Sequence, residues 1–187
     1  DFMGVNYYQS LTVTDYPEGY QLKEGQANYS GEKGSAGEMG FEGIFRTVTN
    51  PNLEQTNWDW TIDPQGLRSG LRHIYSRYDL PVLITENGLG EFDDLVDETV
   101  EDDYRIDYIN DHLIAIQEAI SDGVEVIGYC TWSFTDLLSW LNGYQKRYGF
   151  VYIDRNETDE KELKRYKKKS FYWYKDIIQS NGKTLKK

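Results

Sequence analysis

The chain has 187 residues and a net charge of −12, with 32 acidic against 20 basic side chains. That balance argues against nucleic acid and anionic membrane as partners, since both need a positive field. A single cysteine, Cys130, excludes a disulfide framework and any zinc spacing, so a reducing, cytoplasmic setting fits best. No run of about 18 apolar residues is present. Sixteen Tyr and five Trp are more than a core needs, and flat rings suit sugar faces as well as the edge of a Tyr-rich sheet.

The chain opens without an initiator Met and enters a strand at once, as a chain cut out of something longer would. In Asp1-Phe2-Met3-Gly4-Val5-Asn6-Tyr7-Tyr8 the two-residue period puts Asn6 and Tyr8 on one face and Tyr7 on the other. Residues 9–63 show no sustained period, and Gly25 to Gly43 is rich in Gly, Glu and Ser. A loop this long is usually functional or mobile. Trp58 and Trp60 restore apolar anchoring.

Asp63-Pro64 is a helix start, a cap followed by proline. Leu67, Leu71, Ile74 and Tyr78 then mark one helical face. Pro81 to Glu86 reads as a strand apolar on successive residues, suited to a parallel sheet covered on both faces. Asn87-Gly88 breaks it directly after Glu86. A carboxylate where such a strand leaves the core reads as chemistry.

Glu91 to Asp103 is acidic and reads as a solvated loop, with Thr99 and Asp102 resembling a capping box. It lacks the ligand alternation of a calcium site. Ile106, Ile109, Leu113, Ile116 and Ile120 predict an amphipathic helix ending at Asp122-Gly123. His73 and His112 read as packed or surface residues. Val124 to Thr131 is the next strand, with Cys130 inside it. A loop of aromatics and hydroxyls follows from Trp132 to Trp140, then Gly143 to Gly149 and a short strand at 150–153. Asp154 to Lys161 is a polar turn. The last helix should carry Tyr166, Phe171, Tyr174, Ile177 and Ile178 and stop near Asn181-Gly182. The basic run from Lys164 to Lys169 reads as its solvated flank.

This order predicts an α/β chain with a parallel sheet covered by helices. Three polar clusters, Asn6/Tyr8, Glu86, and Trp132 through Tyr148, follow three strands. The downstream ends of parallel strands share one face, so the clusters can converge.

Asp-Phe-x-Gly-x-Asn-Tyr-Tyr at 1–8, Ile84-Thr85-Glu86-Asn87-Gly88, and Trp132-Ser133 followed by Gly143-Tyr144-x-x-Arg147-Tyr148-Gly149 resemble glycoside hydrolase family 1, from residue 1 to about Ile178. The resemblance implies a (β/α)8 TIM barrel with retaining β-glycosidase activity. It implies that residues 1–187 are a partial single domain, the C-terminal part of that barrel with about strands six to eight. A complete barrel takes ~250 residues.

By the resemblance, Glu86 matches the nucleophile and Tyr8 the tyrosine that orients it. Asn6 matches a polar residue of the same pocket, and Trp132 the floor under the sugar. Ordinary β-glucosidases of the family carry Glu in the position of Ser139. Ser139, Lys146 and Tyr148 instead match the Ser-x6-Lys-x-Tyr pattern of the 6-phospho-β-glycosidases. A phosphate dianion needs such a mixture of one fixed charge and neutral donors. Trp140 would face the 3- and 4-hydroxyl edge of the sugar. The implied activity is that of a 6-phospho-β-glucosidase, with 6-phospho-β-galactosidase as the alternative. The implied substrate is a phosphorylated β-glucoside disaccharide or aryl glucoside. A sugar-phosphate-binding module without chemistry would keep Ser139, Lys146 and Tyr148 but has no need of Glu86.

Retaining hydrolysis needs two carboxyls about 5 Å apart, one as nucleophile and one as acid and base. It needs no metal or organic cofactor. The Thr-x-Asn-Glu-Pro motif that carries the family's acid/base does not occur in this sequence. The missing carboxylate is therefore expected in the N-terminal remainder of the same barrel, and the isolated chain is expected to be inactive.

Overall fold

The computed structural model of the chain describes residues 1–186. Strand β1 (Met3–Tyr7) is followed by three short strands, β2 (Thr12–Thr14), β3 (Gly40–Phe41) and β4 (Phe45–Val48). Then come helix α1 (Pro64–Tyr78), β5 (Val82–Asn87), α2 (Asp103–Ser121) and β6 (Val126–Thr131). The chain ends with β7 (Val151–Ile153), β8 (Arg165–Lys167) and α3 (Lys169–Ser180). No helix among the described residues is long and apolar enough to cross a membrane.

β1, β5 and β6 form a parallel sheet in the order β1-β5-β6, as the strand–helix alternation predicts. α1 starts where Asp63-Pro64 directs it, with the Asp63 carboxylate accepting from the Gly66 amide at 2.9 Å. Such a cap is worth about 1 kcal/mol. The predicted faces of α1 and α2 meet the sheet in a core of Leu67, Leu71, Val82, Ile84, Ile116, Ala119 and Val124. Full burial of an aliphatic side chain stabilises by about 1.5–3 kcal/mol, so this layer fixes the strands and hence the direction of their downstream ends. A second cluster, Leu89, Tyr108, Ile109 and Phe150, packs against Phe171, Trp173 and Tyr174 beneath those ends. His112 is buried there, stacked on Tyr108 with ring centroids 4.0 Å apart, and burial pushes its imidazole down to about 4. It is a packing residue, as read from the sequence.

Among the described residues β1 and β6 are the outer strands of the parallel sheet, each paired on one side. Phe2 and Ile127 are exposed there. Open edges of a parallel sheet with exposed apolar side chains are what further strands of a barrel would cover.

The structure differs from the sequence reading in several places, among them Tyr78 and Ile120, which end the predicted stripes of α1 and α2 and are exposed. The aperiodic segment 9–63 contains a small antiparallel sheet, β2-β4-β3. Its strands run to only two to four residues, too short for a period to show. Tyr166 lies in β8, paired with Tyr152, and not in the last helix. Thr99 and Asp102 form no capping box. The Thr99 hydroxyl donates to the Lys167 carbonyl, and the Asp102 carboxylate accepts from the Ser170 amide and hydroxyl and from Arg105.

Finally, the acidic loop and the basic run are not wholly solvated. Asp93 and Asp102 pair with buried Arg105, and Lys168, 0% exposed, pairs with Asp93 and with Asp136. Opposite charges distant in sequence meet inside the protein, where each makes the other tolerable.

Candidate active site at the downstream ends of the parallel strands

Glu86 is the penultimate residue of β5 and lies opposite Asn6 of β1. The register slips between Val5 and Asn6 on one side and between Ile84 and Asn87 on the other. Such irregularities re-aim a side chain at the end of a strand. The Tyr8 phenol donates to Glu86 Oε2 at 2.7 Å. Burial and the adjoining Glu86 carboxylate push that phenol far above its ordinary value, so it stays a donor. Asn6 accepts from the Thr85 hydroxyl at 2.6 Å and stands beside Glu86 without bonding it.

Asn87 anchors this end. Fully buried, it donates to the Tyr7 carbonyl at 2.8 Å and to the Tyr108 hydroxyl at 3.2 Å, and accepts from the Tyr129 hydroxyl at 2.7 Å. One side chain thus ties β1, β5, α2 and β6 together directly after Glu86. Gly88 must be glycine because a Cβ there would stand 1.9 Å from the Trp132 carbonyl oxygen. That contact brings Trp132 beside the strand end, where its amide donates to the Asn87 carbonyl at 2.8 Å.

Ser139, Lys146 and Tyr148 are all buried and lie on the loop between β6 and β7. The Ser139 hydroxyl donates weakly to Asn142 at 3.4 Å. The Tyr148 phenol is pushed up to about 12 by burial, with Ser139 and the Arg105 guanidinium pulling the other way.

Lys146 is 0% exposed, and among the described residues its Nζ has no hydrogen-bond partner. The Nζ sits 3.7 Å from the ring centre of Trp60, 5.3 Å from Trp58 and 5.6 Å from Tyr148. Attraction between an ammonium and desolvated rings is worth about 2 kcal/mol, whereas removing it from water costs several kcal/mol. Burial therefore wins and pushes the amine down to about 7, with the Glu91 carboxylate pulling it back up.

The two ends are joined through Trp60. Its ring meets Tyr8 edge-on at 5.4 Å and Tyr148 at 6.4 Å. Glu86, Tyr8, Trp60, Lys146 and Tyr148 thus form one continuous contact chain, and the convergence expected from strand topology holds. Trp140 does not join it. Its side chain projects into solvent, 94% exposed, although Ser139 next to it is buried. A groove of about 570 Å³, lined among others by Thr12, Lys23, Met39 and Asn142, shares Trp58 and Trp60 with the lysine cage.

Sequence reasoning missed Asn57, Trp58, Trp60 and Glu91. Glu91 accepts from the Asn57 amide at 2.8 Å and the Asn57 side chain at 2.9 Å. Its backbone pairs with Arg147 through bonds of 3.0 and 2.9 Å. The two tryptophans at a spacing of two were the available signal. Nothing in the acidic loop marked Glu91. The buried ion network holds the neighbour of Lys146 and Tyr148: Asp136 accepts from Arg147 at 2.9 Å, from the Gly149 amide at 3.0 Å and from Lys168 at 2.7 Å.

Over 186 residues the chain is 63% identical to the aryl-phospho-beta-D-glucosidase BglC of Bacillus subtilis (strain 168), covering 99% of this chain and 39% of the relative. It is 45% identical to a 6-phospho-beta-glucosidase of Clostridium longisporum, of which it covers 37%. The chain therefore spans less than half the length of the relatives it matches. Its fold superposes on a family 1 β-glucosidase from Thermotoga maritima with a TM-score of 0.78 at 32% identity, over 97% of this chain and 35% of that one. The three parallel strands and their helices are accordingly part of a (β/α)8 barrel. With a sequence profile matching residues 1–183, the chain belongs to glycosyl hydrolase family 1.

Proposed function

We propose that the complete barrel containing this chain hydrolyses 6-phospho-β-D-glucosides with retention, releasing glucose 6-phosphate and an aglycone or sugar. The observation that carries this reading is Lys146, a buried amine for which the described residues supply no acceptor, on the loop that also carries buried Ser139 and Tyr148. An ammonium without an acceptor, on a loop that also presents two hydroxyls, is what a phosphoryl group completes. Rotation of the flexible lysine stem away from Trp60 gives Nζ that acceptor.

In this reading Glu86 attacks the anomeric carbon, aimed by the Tyr8 phenol, and Trp132 and Asn6 border the sugar. Trp140, free in solvent, turns over the sugar edge when substrate binds. The second carboxyl, which protonates the leaving oxygen and then activates water, belongs to the part of the barrel outside this chain. That part also covers the open edges of the sheet, so residues 1–187 are one portion of a single domain and do not turn over alone. A phosphorylated sugar and a lone cysteine both fit a cytoplasmic setting.

The relatives' names favour the glucoside over the galactoside. Glu86 held by Tyr8 speaks against a module that only binds. The test compares kcat/KM of the complete barrel on an aryl β-glucoside with and without a 6-phosphate. Strong preference for the phosphorylated compound is expected. Equal or better use of the unphosphorylated one overturns the reading.

A further inference from the structure

Glu91 stands where three loops meet. It follows β5, five residues after Glu86. Its carboxylate grips Asn57 twice, at the amide and at the side chain, and so holds the segment that carries Trp58 and Trp60. Its backbone exchanges two hydrogen bonds with Arg147, whose neighbours on either side are Lys146 and Tyr148. Gly90, just before it, is packed so closely that an added Cβ would meet the Lys146 Cγ and the Tyr148 Cζ at 2.6 Å. The walls and the stem of the lysine cage are thus both referenced to this one residue.

Among the described residues, aromatic rings make up the immediate surroundings of the Lys146 amine. Trp58 and Trp60 face it from the 56–61 segment, and Tyr148 faces it from its own loop. The charge that acts on it is Glu91, from the loop after β5. Asp136 and Asp93, the nearby buried carboxylates, are committed to Arg147, Lys168 and Arg105.

We propose that Glu91 is the positioning residue of the phosphate end. Through Asn57 it fixes the tryptophan walls of the cage, and through its backbone pairing with Arg147 it fixes the segment that carries Lys146 and Tyr148 toward a 6-phosphate. The inference rests on the reading of Ser139, Lys146 and Tyr148 as the phosphate site. It adds a residue that touches neither phosphate nor the reacting atoms, and it makes phosphate discrimination depend on pH.

The sign follows from the groups named. Burial lowers the Lys146 amine to about 7, and Glu91 raises it. Removal of the Glu91 charge therefore lowers it further, and the ammonium is lost at a lower pH. The informative quantity is the ratio of kcat/KM for phosphorylated over unphosphorylated aryl β-glucoside, measured with the complete barrel across pH. The acid/base carboxyl is common to both substrates and cancels in the ratio. The ascending limb belongs to the phosphate, whose second ionisation lies near 6. The descending limb belongs to Lys146.

Glu91→Gln keeps the shape and one acceptor but removes the charge. The descending limb should move to lower pH, and above it the ratio should fall by about tenfold for each unit of displacement. Asn57→Ala keeps the charge and weakens the tether, removing the side-chain bond while the backbone amide still donates. It should lower the ratio while leaving the limb in place. A Glu91→Gln barrel that keeps the parent's ratio and limb overturns the proposal, as does an equal limb displacement in Asn57→Ala. Circular dichroism of both variants establishes that they are folded. If the parent itself shows no preference for the phosphorylated substrate, the reading of the phosphate site falls first, and the two failures remain distinct.

Discussion

The Nζ of Lys146 lies 3.7 Å from the ring centre of Trp60, whose ring also meets Tyr8, the phenol that bonds Glu86. One tryptophan from a segment without sequence periodicity therefore touches both ends of the site. Trp60→Ala should admit water to the lysine and relieve its desolvation. The amine should rise from about 7 toward the ordinary lysine range. In the complete barrel, the descending limb of the phosphorylated-over-unphosphorylated ratio should move to higher pH. Turnover of both substrates should fall, since Tyr8 loses its packing. The two effects are read from one set of pH profiles.

Tyr8→Phe tests the other end. The substitution keeps the ring against Trp60 and deletes the hydrogen bond to Glu86. A hydrogen bond to a charged group is worth about 1.5–3 kcal/mol, which corresponds to a fall of roughly tenfold to a hundredfold where the bond orients the reacting form. The loss should appear equally with phosphorylated and unphosphorylated substrates, leaving their ratio unchanged. Steady-state kinetics on both compounds checks this.

The sequence made the central layer legible because that layer obeys simple periods. Val82 and Ile84 share one face of β5 and are both buried, and Leu67, Leu71 and Ile116 of the α1 and α2 stripes meet them, whereas Tyr78 and Ile120 at the stripe ends are exposed. Glu86 was legible because polarity breaks that run where the strand ends. The rest depended on pairings that no local pattern encodes. Asp93 and Lys168 look like members of two solvated charge runs, and only the fold brings them together. Glu91 looks like one acid among many until Asn57 and Arg147 arrive from distant loops. Trp140 shows the reverse: it adjoins buried Ser139 in sequence, but a residue beside a buried serine need not be buried itself.

Asp136 should be the most costly single residue of the buried network. Its carboxylate compensates Arg147 and Lys168 and also holds the Gly149 amide. Asp136→Ala leaves two buried cations short of a partner, and removing one side of a buried pair costs about 3–5 kcal/mol. Urea unfolding of the complete barrel should show a midpoint lowered accordingly with little change in slope. Because Arg147 sits between Lys146 and Tyr148, any variant protein that remains folded should also bind the phosphorylated substrate less tightly. Asp136→Asn, which retains the amide contact but not the charge, should fall between the two.

Ser139→Glu tests charge at the phosphate end directly. Ser139 is buried, and its backbone is pinned to Gly143 by paired hydrogen bonds of 2.9 Å each, so a new carboxylate cannot easily turn away. Close to Lys146 it would supply the acceptor that Nζ lacks, and the amine should rise well above 7. Close to a phosphate dianion it would repel, and juxtaposed like charges cost several kcal/mol. The expected result is a fall in kcat/KM of about a hundredfold or more for the phosphorylated aryl glucoside. Use of the unphosphorylated compound should hold or improve, because the carboxylate can accept from its free 6-hydroxyl. The preference between the two substrates should therefore shrink or invert, and competition by glucose 6-phosphate should weaken in parallel. A Ser139→Glu barrel that still prefers the phosphorylated substrate as the parent does would separate this serine from the phosphate, and would leave Lys146 and Tyr148 to be tested alone.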